Sequence, residues 1–297
     1  MFQQQSFQTI ASGKLYLVPT PIGNLDDMTF RAVETLKSVD LILAEDTRHT
    51  QKLLNHFDIQ TPTLSFHEHN SKSRLDDVIH RLQAGETIAQ VSDAGMPAIS
   101  DPGADLVSAC VENQLAVVPL PGANAALTGL IASGLSTEQF KFIGFLPRKK
   151  NAKNEMLASL KNETATMLFY ESPFRIKNTV ADLVTAWGEE RQAVVVRELT
   201  KTHEEFLRGQ LSELQTYFEE HSDVKGEICF IVAGNPTPNE VDEGIEATIR
   251  EKPLSWQVEW WMSTKDLSSK QAIKKVAKEN QLNKREVYTA YHIEGSD

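Results

Sequence analysis

Residues 88–103 read IAQVSDAGMPAISDPG: four residues without a charge, then a loop of small residues, prolines and two aspartates. A short apolar run suits a strand buried on both faces. The loop that follows has Gly95, Pro97, Pro102 and Gly103 to fix turns and let a ligand approach the backbone. The same order recurs nearby. Leu15–Val18 precedes Pro19-Thr-Pro-Ile-Gly-Asn-Leu25, Leu41–Ala44 precedes Glu45-Asp-Thr-Arg-His-Thr50, and Leu115–Val118 precedes Pro119-Leu-Pro-Gly-Ala-Asn-Ala125. In open α/β sheets ligands bind outside the carboxyl ends of the strands, where all four loops are expected.

Further runs at Phe140–Phe145, Met167–Tyr170, Ala193–Val196 and Ile228–Val232 are read as strands buried in the same way. Between runs, Leu75, Val78, Ile79 and Leu82 repeat at helical spacing, with Ser71 or Ser73 as the expected cap. Asp26 or Asp27 is expected to cap a helix that turns Phe30, Val33 and Leu36 inward. Asp46 or Thr47 is expected to start one reaching Phe57. This alternation predicts an α/β architecture. The proline-rich stretches at 119–122 and 234–238 divide it. The expected parts are a disordered tail (1–12), an N-terminal α/β domain (13–118), a C-terminal α/β domain (119–238), and a linker with a helical tail (239–297).

In that tail, Ser268 or Ser269 starts a helix carrying Ala272, Val276 and Ala277, residues 280–283 turn, and Lys284–Tyr291 is helical again. Two short helices about a tight turn suggest a helix-turn-helix. From Lys265 to Arg285 there are seven Lys/Arg against two Asp/Glu. The whole chain, in contrast, has 297 residues and a net charge of −11, so any nucleic-acid contact has to come from a local basic patch. Trp256, Trp260 and Trp261 are read as packing or self-association residues rather than base-stacking ones.

Composition excludes several classes. With 40% hydrophobic and 24% charged residues the chain is not a disordered, collagen-like or coiled-coil sequence. Cys110 and Cys229 form no CxxC pair, so a cysteine zinc site and a disulfide framework are not expected, nor is any metal. A reducing, cytoplasmic setting follows. No run reaches the roughly 18 apolar residues of a membrane span. Missing P-loop, GxGxxG, GxSxG and HExxH signatures argue against a P-loop NTPase, a dinucleotide oxidoreductase, an α/β-hydrolase and a zincin.

The stretch Val18–Leu54, with FHEHN (66–70), VSDAGMPAISDPG (91–103), PLPGANAALTGLIASGL (119–135), GFLPRK (144–149) and YESPFRI (170–176), closely resembles the ribosomal RNA small subunit methyltransferase I family, within the tetrapyrrole methylase superfamily. The resemblance implies two α/β domains with the cofactor in the cleft between them, and S-adenosylmethionine-dependent 2′-O-methylation of a cytidine in the decoding region of 16S rRNA, within the 30S subunit, by a homodimer. It carries the cofactor site onto Pro21, Asp93, Ala94, Gly95, Met96, Pro97, Gly122, Ala123, Asn124, Ala125, Ala126, Tyr170, Glu171 and Ser172. The loop TPIGNL is poorer in glycine than in superfamily relatives, so no phosphate-binding role is carried over to it.

A ribose hydroxyl is a poor nucleophile at neutral pH, so a base or a positioned acceptor is needed. Candidates are Asp46 and Arg48, with Glu45, and the cluster His67 and Glu68. Asp101 is a further carboxylate. RNA contacts are expected from His69, Asn70, Arg148, Lys149, Arg175, Lys274, Lys275, Lys284 and Arg285. Two other functions compete: methylation of a tetrapyrrole on the same fold, and a non-catalytic RNA-binding assembly factor. Labelled donor offered with 30S particles or a porphyrinoid separates them.

Overall fold

The computed structural model describes residues 2–6, 12–67, 69–101, 103–221, 223–238, 249–250, 252–265 and 267–292. The chain divides into two compact units, 1–161 with 165–234 and 162–164 with 235–297. The first unit holds two five-stranded sheets.

The first sheet is built from β1 (Lys14–Leu17), β2 (Leu41–Ala44), β3 (Thr63–Ser65), β4 (Ile88–Val91) and β5 (Ala116–Pro119). Its order is β3-β2-β4-β1-β5 and every pairing is parallel. LILA and IAQV are buried along their whole length because they are interior strands with both faces covered. Alternation splits the core: Ile42 and Ala44 pack with Leu36 and Val91 on one face, Leu41 and Leu43 with Val78, Leu82 and Leu106 on the other. Parallel strands put the loops after β1, β2, β4 and β5 at one edge of this sheet.

Helices cover both faces. They are α1 (Phe30–Ser38), α2 (Thr47–His56), α3 (Ser71–Gln83) and α4 (Gly103–Glu112). Asp46 caps α2 by accepting from the Arg48 amide, as expected. Two other expectations fail. Thr29, not Asp26 or Asp27, caps α1, because both aspartates lie in a 3-10 turn over Leu25–Asp27. Phe30 is 92% exposed; the buried side of α1 is Ala32, Thr35 and Leu36. Neither Ser71 nor Ser73 caps α3. Asn70 holds that position, Ser71 is the first helical residue, and the Ser73 hydroxyl donates to the Asn70 carbonyl.

The second sheet contains β6 (Phe140–Phe145), β7 (Thr166–Glu171), β8 (Gln192–Arg197), β9 (Glu205–Gln210) and β10 (Ile228–Val232) in the order β6-β7-β10-β8-β9. β6 runs parallel to β7, while β10 is antiparallel to β7 and β8, and β8 to β9. With it go α5 (Ala125–Ser133), α6 (Lys150–Leu160), α7 (Ile176–Trp187) and α8 (Leu211–Glu220). One face carries Met167, Phe169, Val195 and Phe230 beneath α7 and α8. The other carries Leu168, Val194, Cys229 and Ile231, and it packs on Ala126 and Leu130 of α5 and on Ile22 of the β1 loop.

Strand Phe140–Phe145 departs from expectation. It is an edge strand that leaves Phe140, Phe142 and Phe145 exposed rather than a strand buried on both faces. β3 and β9 are absent from the expected strands. β3 has only three residues, and β9 is a polar edge strand without an apolar run.

In the second unit a helix over Leu254–Lys265, not expected from the sequence, joins the helices Ser269–Glu279 and Lys284–His292. Val258, Trp261, Ala272, Val276 and Val287 form its core, so Trp261 is a packing residue, whereas Trp256 is 41% exposed. The Ser268 amide donates to the Gln271 carboxamide at the start of the middle helix. Among the described residues no helix is long and apolar enough to cross a membrane. The Gln4 side chain, in the stretch read as a tail, accepts from the Val117 amide and donates to its carbonyl.

Candidate cofactor cleft

Three segments far apart in sequence converge on one cavity of about 390 Å³ in the first unit. The loop after β4 contributes Ala94, Gly95 and Met96. The start of α5 contributes Asn124 and Ala125, and the end of β7 contributes Tyr170, Glu171 and Ser172. A volume of this size, largely apolar with a few polar groups at its margins, falls in the range of small-molecule sites.

The loop after β4 is held from behind. Gly95 and Thr20 exchange both backbone hydrogen bonds at 3.0 Å, and the Ser92 hydroxyl donates to the Gly95 carbonyl. Gly95 sits at φ +80°, a left-handed conformation that glycine adopts without a Cβ penalty. Asn124 caps α5 by accepting from the Leu127 amide. The Tyr170 phenol is pushed up to about 12 by burial, so it is a protonated hydroxyl in the physiological range.

Glu171 is buried, with Oε1 accepting from the Ser172 amide at 2.8 Å and Oε2 from the Thr179 hydroxyl at 2.7 Å. Arg175 approaches it at 3.4 Å and donates to the Leu146 carbonyl. Both carboxylate oxygens thus have donors from the protein itself, and Arg175 ties the β6 and β7 loops together.

Other expected cofactor residues lie beside the cavity. Pro21 and Asp93 line a neighbouring cleft of about 270 Å³ with Thr20, His49 and Thr50. Pro97 is buried within the loop after β4. Gly122 packs on Pro19, where a Cβ would come within 2.6 Å of the proline ring. Ala123 points its carbonyl towards Gly95, and Ala126 is in the core beneath the cleft. The sequence reading missed Ile22, Ile99, Phe145, Pro173, Val196, Leu199, Glu227, Ile228 and Cys229, which complete the wall. Val196 and Cys229 lie in recognised strands, but only sheet topology could show that they face the cleft. Leu199 and Glu227 carried no signal. Burial pushes the Cys229 thiol up to about 12, which makes it a neutral wall group.

The acidic and histidine motifs share the loop-bearing edge of the first sheet. β2 and β3 pair with Ala44 beside Ser65, and the Phe66 amide donates to the Ala44 carbonyl. Glu45 and His67 are therefore carried to adjacent strand ends. The Glu45 carboxyl is raised by burial first and then by the negative charges of Asp93 and Asp101. Asp46 is the opposite case. Hydrogen bonds from the Arg48 guanidinium and amide hold it well below the usual carboxylate range. That pair is bidentate at 2.7 and 3.1 Å, with the Arg48 side chain 89% exposed. The Asp93 carboxylate accepts from the Asp46 amide.

Asp101 is raised by burial while accepting from the Ala98 and Gly103 amides. Asn70 accepts from the His67 amide, and its side-chain nitrogen lies 3.2 Å from His67 Nε2. His69 stacks edge-on to His67. Glu68 lies outside the described residues.

Arg148 and Lys149 are exposed after β6. In the tail Lys274, Lys284 and Arg285 are exposed, whereas Lys275 lies over the Trp261 ring and pairs with Glu279.

A parallel sheet presenting its loops to a cavity of small-molecule size, closed on the far side by a mixed sheet, defines a two-sheet α/β protein. The family model described as Tetrapyrrole (Corrin/Porphyrin) Methylases matches residues 14–215, and the chain belongs to this family. It is 50% identical to ribosomal RNA small subunit methyltransferase I of Halalkalibacterium halodurans over 99% of this chain and all of that one. It is 51% identical to the protein of that name from Streptococcus pyogenes serotype M6, over 97% and 98% of the two chains. Among solved structures, the fold is similar to uroporphyrin-III C-methyl transferase of Thermus thermophilus complexed with S-adenyl homocysteine. That match has a TM-score of 0.54 and 15% identity, covering 74% of this chain and 97% of the other.

Proposed function

We propose that the chain transfers a methyl group from S-adenosylmethionine to the 2′-hydroxyl of a cytidine in the decoding region of 16S rRNA, acting as a homodimer on the 30S subunit. The observation that carries the reading is the convergence of Ala94–Met96, Asn124–Ala125 and Tyr170–Ser172 on one cavity. The near full-length similarity to proteins named as small-subunit rRNA methyltransferases favours RNA over a tetrapyrrole as acceptor.

The cleft fits the cofactor chemically. Its apolar walls, including Ile22 and Leu199, suit an adenosyl group, and Asn124, Tyr170 and Ser172 offer hydrogen bonds at its edges. When bound, S-adenosylmethionine supplies an electrophilic methyl on a sulfonium centre. Backbone groups of the loop after β4, fixed by the Thr20–Gly95 pairing, would hold it beside the acidic edge of the first sheet.

On that edge Glu45 is the base. Its raised carboxyl binds a proton more strongly than an ordinary glutamate, as a group taking a hydroxyl proton must. Asp46 is a weak base. It stays ionised, caps α2 and fixes Arg48, whose exposed guanidinium meets an RNA phosphate. His67, His69 and Asn70 contact the RNA beside it, and the exposed phenylalanines of β6 support self-association.

The lobes 13–118 and 119–238 hold donor and acceptor, and 239–297 binds RNA through Lys284 and Arg285. Replacing both by Ala is expected to weaken 30S binding and to lower its dependence on log salt by about one unit for each phosphate no longer neutralised. An unchanged salt slope in filter binding removes the tail from the interface. The function itself is tested by offering tritiated donor with 30S subunits, naked 16S rRNA or a porphyrinoid. Label in a 2′-O-methylcytidine is expected; label in the porphyrinoid alone contradicts the reading.

A further inference from the structure

Beside the cleft, the β1 loop interlocks with two segments that no motif singled out. The chain leaves β8 through Glu198 at φ 50° and Thr200 at φ 66°, both in the left-handed region that a β-branched residue rarely adopts. Such outliers persist only where surrounding contacts over-determine them. Here the Lys201 amide donates to the Glu198 carbonyl, the Thr200 amide to Glu204 Oε2 at 2.7 Å, and the Glu204 amide to the Lys201 carbonyl. The Thr200 hydroxyl is buried with no hydrogen-bond partner among the described residues.

This rigid loop projects Lys201 across to the first sheet. A Cβ added to Gly23 would lie 2.3 Å from Lys201 Cγ and 2.9 Å from its Cε, so the lysine stem lies flat on the β1 loop. The ammonium donates to Glu198 Oε1 at 2.8 Å and to Glu227 Oε2 at 2.9 Å. Glu198 Oε1 also accepts from the Glu227 amide. Gly226, at φ +93°, leaves room for Glu198, since a Cβ there would come within 2.4 Å of Glu198 Cγ. Each segment also places a neighbour in the wall of the cleft: Ile22 beside Gly23, Leu199 beside Thr200, and Glu227 with Ile228 beside Gly226.

We propose that Lys201 is a positioning residue. It locks the β1 loop to the β8–β9 loop and so holds Ile22 and Leu199 at the spacing that the cofactor requires. The inference rests on the cofactor reading above. The Glu227 partner is 75% exposed and contributes little, so the lock resides in the stem over Gly23 and the less exposed Glu198.

The test measures S-adenosylhomocysteine affinity by calorimetry and KM and kcat for methyl transfer to 30S subunits. Lys201→Ala is expected to raise Kd and the cofactor KM about tenfold with kcat within about twofold, and Lys201→Arg to restore most of the affinity. Glu198→Gln, which weakens the other half of the lock while keeping its shape, is expected to cost part of that affinity alone and nothing further in the Lys201→Ala background, since residues in contact are non-additive. Additive effects, or wild-type affinity in either single variant, overturn the proposal. If Lys201→Ala does not fold, Glu198→Gln and Lys201→Arg decide it by the same readings. Failure of the wild-type protein to bind S-adenosylhomocysteine instead removes the cofactor reading.

Discussion

Glu45→Gln is expected to abolish methyl transfer and, at neutral pH, to raise the melting temperature. Both effects have one cause. Burial, with Asp93 and Asp101 nearby, raises the carboxyl above its ordinary value in the folded protein. The folded state therefore holds this proton more tightly than the unfolded state does. The stability gained is fully present below the ordinary carboxylate range and is lost as pH rises through the raised value. At neutral pH the group is a partly buried charge facing other negative charges, and glutamine removes that charge while keeping the shape.

The same raised carboxyl is what makes a useful base, so the substitution exchanges function for stability. A loss of at least about 100-fold in kcat is expected, with S-adenosylhomocysteine affinity within about twofold. In the unsubstituted protein, activity falls as pH is lowered, and does so at higher pH than an ordinary glutamate would dictate. Melting curves at about pH 5 and about pH 8 should show the gain from Gln growing with pH. Wild-type kcat in Glu45→Gln would remove Glu45 from the reaction.

Ala125→Trp carries the second large effect. Ala125 is the first residue of α5 and lines the cleft, while Asn124 before it supplies the cap. An indole at this position has the space of the cavity in front of it. It need not disturb the core beneath, which is built from Ala126 and Leu130. The expected result is a loss of at least about 100-fold in S-adenosylhomocysteine affinity, with unchanged melting behaviour and unchanged binding to 30S subunits. Cofactor affinity equal to that of the unsubstituted protein would place the site elsewhere.

What can be read in advance follows from burial. LILA and IAQV announce themselves because an interior parallel strand is apolar on both faces, and parallel pairing then puts every following loop at one edge. Convergence of the loop after β4, the start of α5 and the end of β7 is expected only through the family resemblance that their motifs carry.

Where neighbours, not local pattern, decide, the sequence is silent or misleading. Phe30 sits in helical register with Val33 and Leu36, yet it begins a nine-residue helix whose inward side is Ala32, Thr35 and Leu36. FKFIGF has the composition of a core strand, but lies at the edge of its sheet. β9, with Glu205, Arg208 and Gln210, has the composition of a loop and is ordered by its ladder with β8. Lys201 and Glu198 give no sign because their partners, Gly23 and Gly226, matter for the side chains they lack.

The central claim is that a sulfonium donor occupies the cleft between the two sheets. A crystal structure of the protein soaked with S-adenosylhomocysteine tests it most directly. The account predicts ligand density bounded by Gly95 and Met96, by Ala125 and by Ser172. Density confined to another surface, with this cleft filled by rearranged side chains, would contradict it.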